Sequence, residues 1–276
     1  MDRLEDISNK VEQDIKKDRL AHVKIIGLRD KSEEFLITVL SILFPHYAKN
    51  NTFDDSTIHV EVERLLELLR FFLDRQDLGV TESRKIEIDF LNNFKNIKRV
   101  LDEDSQAIKN ADPAAQSLDE ILLTYPGFLA IASYRIAHNL DNLGVNLLPR
   151  LITEFAHRET GIDIHPKASI GTAIAIDHGT GIVIGETAVI GDRVRLYQGV
   201  TIGALVVHKE LATQKRHPTI EDDVVIYANA TILGSEAIIG CRSVIGGNVW
   251  LTHAVPPDSI VTHESTVQHF VNQDKN

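Results

Sequence analysis

From Ile164 onward aliphatic residues recur at every sixth position: Ile164, Ile170, Ile176 and Ile182, then after a two-residue slip Ile184, Ile190, Leu196 and Ile202. The series resumes at Ile220, Ile226 and Ile232 and, after a one-residue slip, at Ile239, Ile245 and Leu251. A six-residue period is not that of a helical stripe. Sustained over this many units, it specifies a parallel β-helix, in which three short strands and three tight turns close a triangular coil of about eighteen residues that stacks on the next. Glycine often follows the aliphatic residue, as at Gly171, Gly185, Gly191, Gly203, Gly240 and Gly246. A small or β-branched residue often sits four positions after it, as at Ala168, Thr180, Ala188, Val194, Ala230 and Ser243. The stretch Ala204 to Thr219 lacks the repeat and carries His208, Lys209, Glu210, Lys215, Arg216 and His217, too polar for a coil wall. It reads as a protruding loop, 204–219, on a solenoid spanning 161–262, with a short tail at 263–276.

Ahead of the solenoid, residues 1–160 read as an all-α domain. Leu65, Leu66, Leu68, Leu69 and Phe72 recur at three- and four-residue spacings among charged residues, the stripe of a half-buried helix. Breaks near Pro45, Gly79, Pro113, Pro126-Gly127 and Gly144 divide the region into helices. Asp112 before Pro113 reads as a helix N-cap followed by proline at the first helical position. Lys95, Lys98 and Arg99 read as a solvated helix face.

Charge and cysteine usage narrow the partners. With 29 Lys+Arg against 40 Asp+Glu the formal charge is −11, and no long basic run stands out. Nucleic acid and anionic membranes are therefore poor fits, because counterion release needs clustered cations. The single cysteine, Cys241, excludes an internal disulfide and fits a reducing compartment. The charged N-terminus lacks a signal-peptide core, and the longest apolar-rich run, Phe35 to Phe44, is roughly half a membrane span. The expectation is a cytoplasmic protein with no membrane partner.

Three strings are more specific than the repeat. They are Asp163-Ile164-His165-Pro166, the run from Ile176-Asp177-His178-Gly179-Thr180-Gly181 to Ile184-Gly185-Glu186-Thr187, and Arg216-His217-Pro218. With Asp112-Pro113-Ala114 and Tyr134-Arg135-Ile136-Ala137-His138 in the helical half, they closely resemble the serine O-acetyltransferase family. The resemblance implies an all-α N-terminal domain followed by a left-handed parallel β-helix of hexapeptide repeats. It implies a homotrimer, or a dimer of trimers, with each site between neighbouring subunits. It also implies acetyl transfer from acetyl-CoA to L-serine as the first step toward cysteine, inhibition by L-cysteine, and no metal. Relatives that dock into cysteine synthase end in isoleucine, whereas this chain ends in Asn276, which argues against that partner.

The resemblance also assigns roles. His178 matches the general base and Asp163 its carboxylate partner, with His217 also placed in the catalytic set. Asp112 and Asp177 match the anions that meet the serine ammonium, and Arg216 and His217 the groups that meet its carboxylate. Ala204, where the family usually has glycine, is the candidate backbone N–H for the oxyanion. Ala228, Gly246 and Gly247 are expected to line the groove for the pantetheine arm of CoA. Three rivals stay open on the sequence alone. They are an acetyltransferase acting on a sugar or other alcohol, a zinc lyase using histidines such as His165, His178, His208 and His217, and a non-catalytic scaffold.

Overall fold

In the computed structural model, residues 3–48, 55–206 and 214–264 are described. Part of the predicted loop, including His208, and nearly all of the predicted tail lie outside them. Eight α-helices come first among the described residues: α1 (Arg3–Ala21), α2 (Leu28–Leu43), α3 (Asp55–Leu73), α4 (Val80–Asn92), α5 (Phe94–Ala111), α6 (Leu118–Thr124), α7 (Pro126–Asn142) and α8 (Leu148–Thr160). The helices begin and end where glycine and proline dictate, with Pro126 opening α7 and Gly161, at φ 70°, closing α8. No helix among the described residues is long and apolar enough to cross a membrane.

One boundary differs from the sequence reading. Asp112 is not an N-cap: it is the C-cap of α5, and Pro113 lies in the turn that follows. The next helix, α6, is capped instead by Ser117, whose side chain accepts from the Glu120 N–H. The Asp112 side chain is thereby free of capping a helix and folds back on its own turn, accepting from the Ala114 N–H at 2.8 Å.

The second half is a parallel β-solenoid with three sheets. The first holds β1 (Asp163–Ile164), β4 (Val183–Ile184), β7 (Thr201–Gly203), β10 (Thr231–Leu233) and β13 (Trp250–Leu251). The second holds β2 (Ser169–Ile170), β5 (Val189–Ile190), β8 (Thr219–Ile220) and β11 (Ile238–Ile239). The third holds β3 (Ala175–Asp177), β6 (Arg195–Tyr197), β9 (Val225–Ile226), β12 (Val244–Ile245) and β14 (Ile260–Val261). Every aliphatic residue of the six-residue series is buried, stacked in register as in Ile164↔Ile184↔Ile202↔Ile232↔Leu251. Thr180 differs from Ala168, Ala188, Val194, Ala230 and Ser243, which share its position in the repeat and are buried. The two-residue slip widens its corner, so Thr180 is exposed and Ile182 fills the interior.

The halves interlock through α7 and β3. Ala130, Ile131 and Tyr134 of α7 belong to the solenoid core, while Ala175 of β3 belongs to the helical core. Approach is tight at Gly127, where a Cβ would stand 2.4 Å from the Ile176 carbonyl oxygen, so any larger residue would push α7 off the strand. Arg135 makes the joint polar as well. Its guanidinium meets Asp104 of α5 at 3.0 and 3.1 Å and donates to the carbonyls of Ile170 and Gly171. Tyr134 Oη donates to the Ala168 carbonyl at 2.6 Å, and His138 Nδ1 lies 2.7 Å from the Pro166 carbonyl.

Candidate active site

The three sheets leave three corners, and the predicted site residues fall on two of them. At the corner leading from the third sheet to the first, β3 ends in Asp177 and the chain turns through His178. His178 has φ 56°, a left-handed conformation also adopted at corners by Ala173, Arg193, Asn229 and Asn248, so it belongs to the turn geometry of the solenoid rather than to the site alone. The turn pushes its imidazole outward, with the side chain 72% exposed and Nδ1 3.8 Å from Asp177 Oδ1. Gly179 follows at φ 83°, where a Cβ would meet Ile162 at 2.5 Å.

The joint between α7 and β3 brings Asp112 to this corner. Tyr125, the residue before Pro126, donates its hydroxyl to Asp112 Oδ2 at 2.6 Å. That hydrogen bond, the Ala114 N–H and the charge of His178 hold the Asp112 carboxyl below its ordinary range. The carboxylate in turn pushes the Tyr125 phenol up to about 12. Asp112 and Asp177 thus form an anionic surface beside the His178 imidazole. Asp163 opens β1 in the neighbouring sheet. No hydrogen bond or ion pair among the described residues joins it to His178, whose charged neighbour is Asp177.

At the corner between the first and second sheets, Thr187 organises the other predicted group. Its hydroxyl accepts from the backbone N–H groups of Arg216 and His217, at 3.0 and 3.1 Å. The same hydroxyl lies 2.8 Å from His217 Nδ1, which also accepts the Thr187 N–H at 3.1 Å. Nδ1 is therefore the acceptor and Nε2 carries the ring proton. Burial lowers the His217 pKa to about 4, with Arg216 and Lys215 adding to the effect, so the ring is neutral near pH 7. It lies flat against Gly185, where a Cβ would stand 2.0 Å from Nε2. Arg216 pairs with Glu186, which also faces Lys167 at 3.6 Å. Burial opposes the charge on Glu186, but Arg216, His165 and Lys167 outweigh it and hold the carboxyl below its ordinary range. His165, at the same corner, is lowered to about 4 by burial and by Arg150.

Ala204 follows β7 at this second corner. Ala228, Gly246 and Gly247 stack at the first, where a Cβ on Gly247 would come 3.1 Å from the Ala228 carbonyl oxygen and one on Gly246 3.0 Å from that of Val261. This strip of nearly bare backbone suits a thin, amide-bearing arm. Among the described residues no three metal-ligating side chains converge. Sequence reasoning gave no role to Tyr125, Thr187 or Glu186. The last two stand inside the quoted string Ile184-Gly185-Glu186-Thr187, whereas the Tyr125 link to Asp112 depends on how α6 folds back and leaves no local signal.

Known proteins resemble this chain over most of its length. A family model described as "Serine acetyltransferase, N-terminal" matches residues 57–133. The plasmid serine acetyltransferase of Synechococcus elongatus is 47% identical over 237 residues, covering 81% of this chain and 73% of that protein. Among solved structures, serine acetyltransferase isoform 3 of Entamoeba histolytica, in complex with cysteine, superposes with a TM-score of 0.78 at 35% identity, over 87% of this chain and 84% of the other. The Neisseria gonorrhoeae serine acetyltransferase in complex with serine gives 0.59 at 28% identity, over 88% and 98%.

Proposed function

The chain belongs to the serine acetyltransferase family, and from that premise we propose that it moves the acetyl group of acetyl-CoA to the hydroxyl of L-serine, with His178 as the base. The observation that carries the reading is the meeting of Asp112, Asp177 and His178 at one corner. An amino-acid ammonium needs anions, a serine hydroxyl needs a base, and this corner offers both. His178 takes the hydroxyl proton as the serine oxygen attacks the thioester carbonyl. The carbon–sulfur bond then breaks, and the imidazolium returns the proton to the departing CoA thiolate. Because the donor carries its own activated acyl group, transfer is direct and Cys241 has no part in it.

The serine carboxylate is met by Arg216, pre-set by Glu186, and by the Nε2–H of His217. These groups sit on a different corner from His178, and a complete site forms where the first corner of one subunit meets the second corner of the next. Assembly as a trimer, alone or paired, supplies that contact, and Asp163 joins the catalytic group there. Ala204 N–H faces the oxyanion, and Ala228, Gly246 and Gly247 border the pantetheine arm. Cysteine, which shares the ammonium and carboxylate of serine, occupies the same place and inhibits competitively. The cytoplasm, where acetyl-CoA and reduced thiols are available, is the compartment this reading requires.

Subunit mixing tests it. His178→Ala and Arg216→Ala chains, each inactive alone, are unfolded together, refolded and assayed with L-serine and acetyl-CoA. Random assembly of two chain types restores about a quarter of the wild-type sites if each site draws on two subunits. No recovery would place both groups in one chain and overturn the shared-site reading.

A further inference from the structure

Between α5 and the solenoid lies a cleft of about 810 Å³ that is lined by neither His178 nor Arg216. Five basic side chains line it, Lys95, Lys98 and Arg99 from α5 with Arg193 and Arg195 from the solenoid, against two acidic ones, Asp102 and Glu103. In a chain of net charge −11 a lining with more basic than acidic side chains stands apart, although Arg193 also faces Asp192, Asp222 and Asp223. Lys95, Lys98 and Arg99 crowd the opening turns of α5, where the macrodipole favours carboxylates and α5 has none in its first turn.

Three of the five are engaged elsewhere. Lys98 pairs with Asp102 at 2.6 Å, Arg99 with Glu103, and Arg193 with Asp223 at 2.6 Å. The side chains of Lys95 and Arg195 have no hydrogen-bond or ion-pair partner among the described residues. They come from different walls of the cleft, one on α5 and one on β6, so an oxyanion bound in it would offer each a partner. Gln106 and Asn110 add side-chain amides, and Ala173 and Ala175 keep the solenoid wall low.

We propose that this cleft is a binding site for a phosphate-bearing small molecule, held by Lys95 and Arg195. The cleft is separate from the acetyl-transfer site, and the proposal does not depend on the roles given to that site. It does touch the same two elements, because α5 runs on from Asn110 to Asp112 and β3 from Ala175 to Asp177.

Calorimetric titration of the full chain with pyrophosphate and with ATP, in the presence of saturating CoA and at low salt, tests it. CoA blocks the donor groove, so heat then reports another site. Binding of one molecule per chain is expected, weakened on the order of tenfold or more by Lys95→Gln with Arg195→Gln and unaffected by Arg242→Gln at a remote stretch of the solenoid. Added salt weakens it further. Equal affinity for both probes means that the site reads phosphate alone, and tighter binding of ATP means that it also holds the base; either supports the proposal. Retained thermal stability and serine-dependent turnover in the double variant show that it is folded. Binding of neither probe below about 5 mM, or equal affinity in wild type and the double variant, overturns the proposal.

Discussion

Replacing Arg135 with methionine removes the cation from the joint between the helical half and the solenoid. Asp104, fully buried, then keeps only the Ile174 N–H at 2.9 Å, and the Ile170 and Gly171 carbonyls lose their donor. Burial already pushes the Asp104 carboxyl up, opposed chiefly by Arg135, so the lone charge is strongly disfavoured. Breaking a buried pair from one side costs about 3–5 kcal/mol. At about 2–4 °C per kcal/mol for a large domain, Tm should fall by about 6–20 °C. The deficit should shrink as pH is lowered toward 5, because the stranded carboxyl protonates and the folded state then buries a neutral group. The double variant Asp104→Leu with Arg135→Met should recover a large part of the loss, since an apolar pair leaves no charge behind. Scanning calorimetry at matched protomer concentration reads all three. A single variant within about 2 °C of wild type, or a double variant no better than the single, would refute the assignment of this pair as the joint.

Two further outcomes follow from the sites. Tyr125→Phe removes the hydrogen bond that lowers the Asp112 carboxyl, so the KM for L-serine should rise about tenfold while that for acetyl-CoA stays put. The acidic limb of the pH profile should also move to higher pH, and an equal rise in both KM values would contradict a serine-side role. His165 and His217 are both lowered to about 4 by burial, below the unfolded value near 6.5. Their contribution is present above pH 6.5 and is lost as pH falls toward 4, because the unfolded chain binds the protons first. Tm should therefore drop over that window, less steeply in His217→Asn, and parallel curves would show that His217 is not held neutral.

The solenoid was readable because its period is imposed by a three-sided coil, so each inward position declares itself locally, from Ile164 to Leu251. The exposure of Thr180 was not readable in the same way, since a two-residue slip moves the corner and only the fold shows how the extra residues are taken up. His178, Arg216 and His217 could be proposed from the sequence because they sit in short, contiguous strings. Asp112 was given the wrong local structure, as an Asp-Pro pair suits either side of a helix break. The links of Tyr125 and Asp104, and the placing of Lys95 and Arg195 on one cleft, come from packing between distant segments, which no periodicity encodes.

The central claim is that His178 removes the proton from a serine hydroxyl. Release of CoA thiol from acetyl-CoA should be followed with L-serine, L-homoserine and a sugar panel, on wild type and on His178→Ala. The account predicts fast turnover with L-serine alone, and a fall of at least about a hundredfold in the variant with little change in thermal stability. Turnover with L-serine that survives His178→Ala, or a preference for another alcohol, would contradict it.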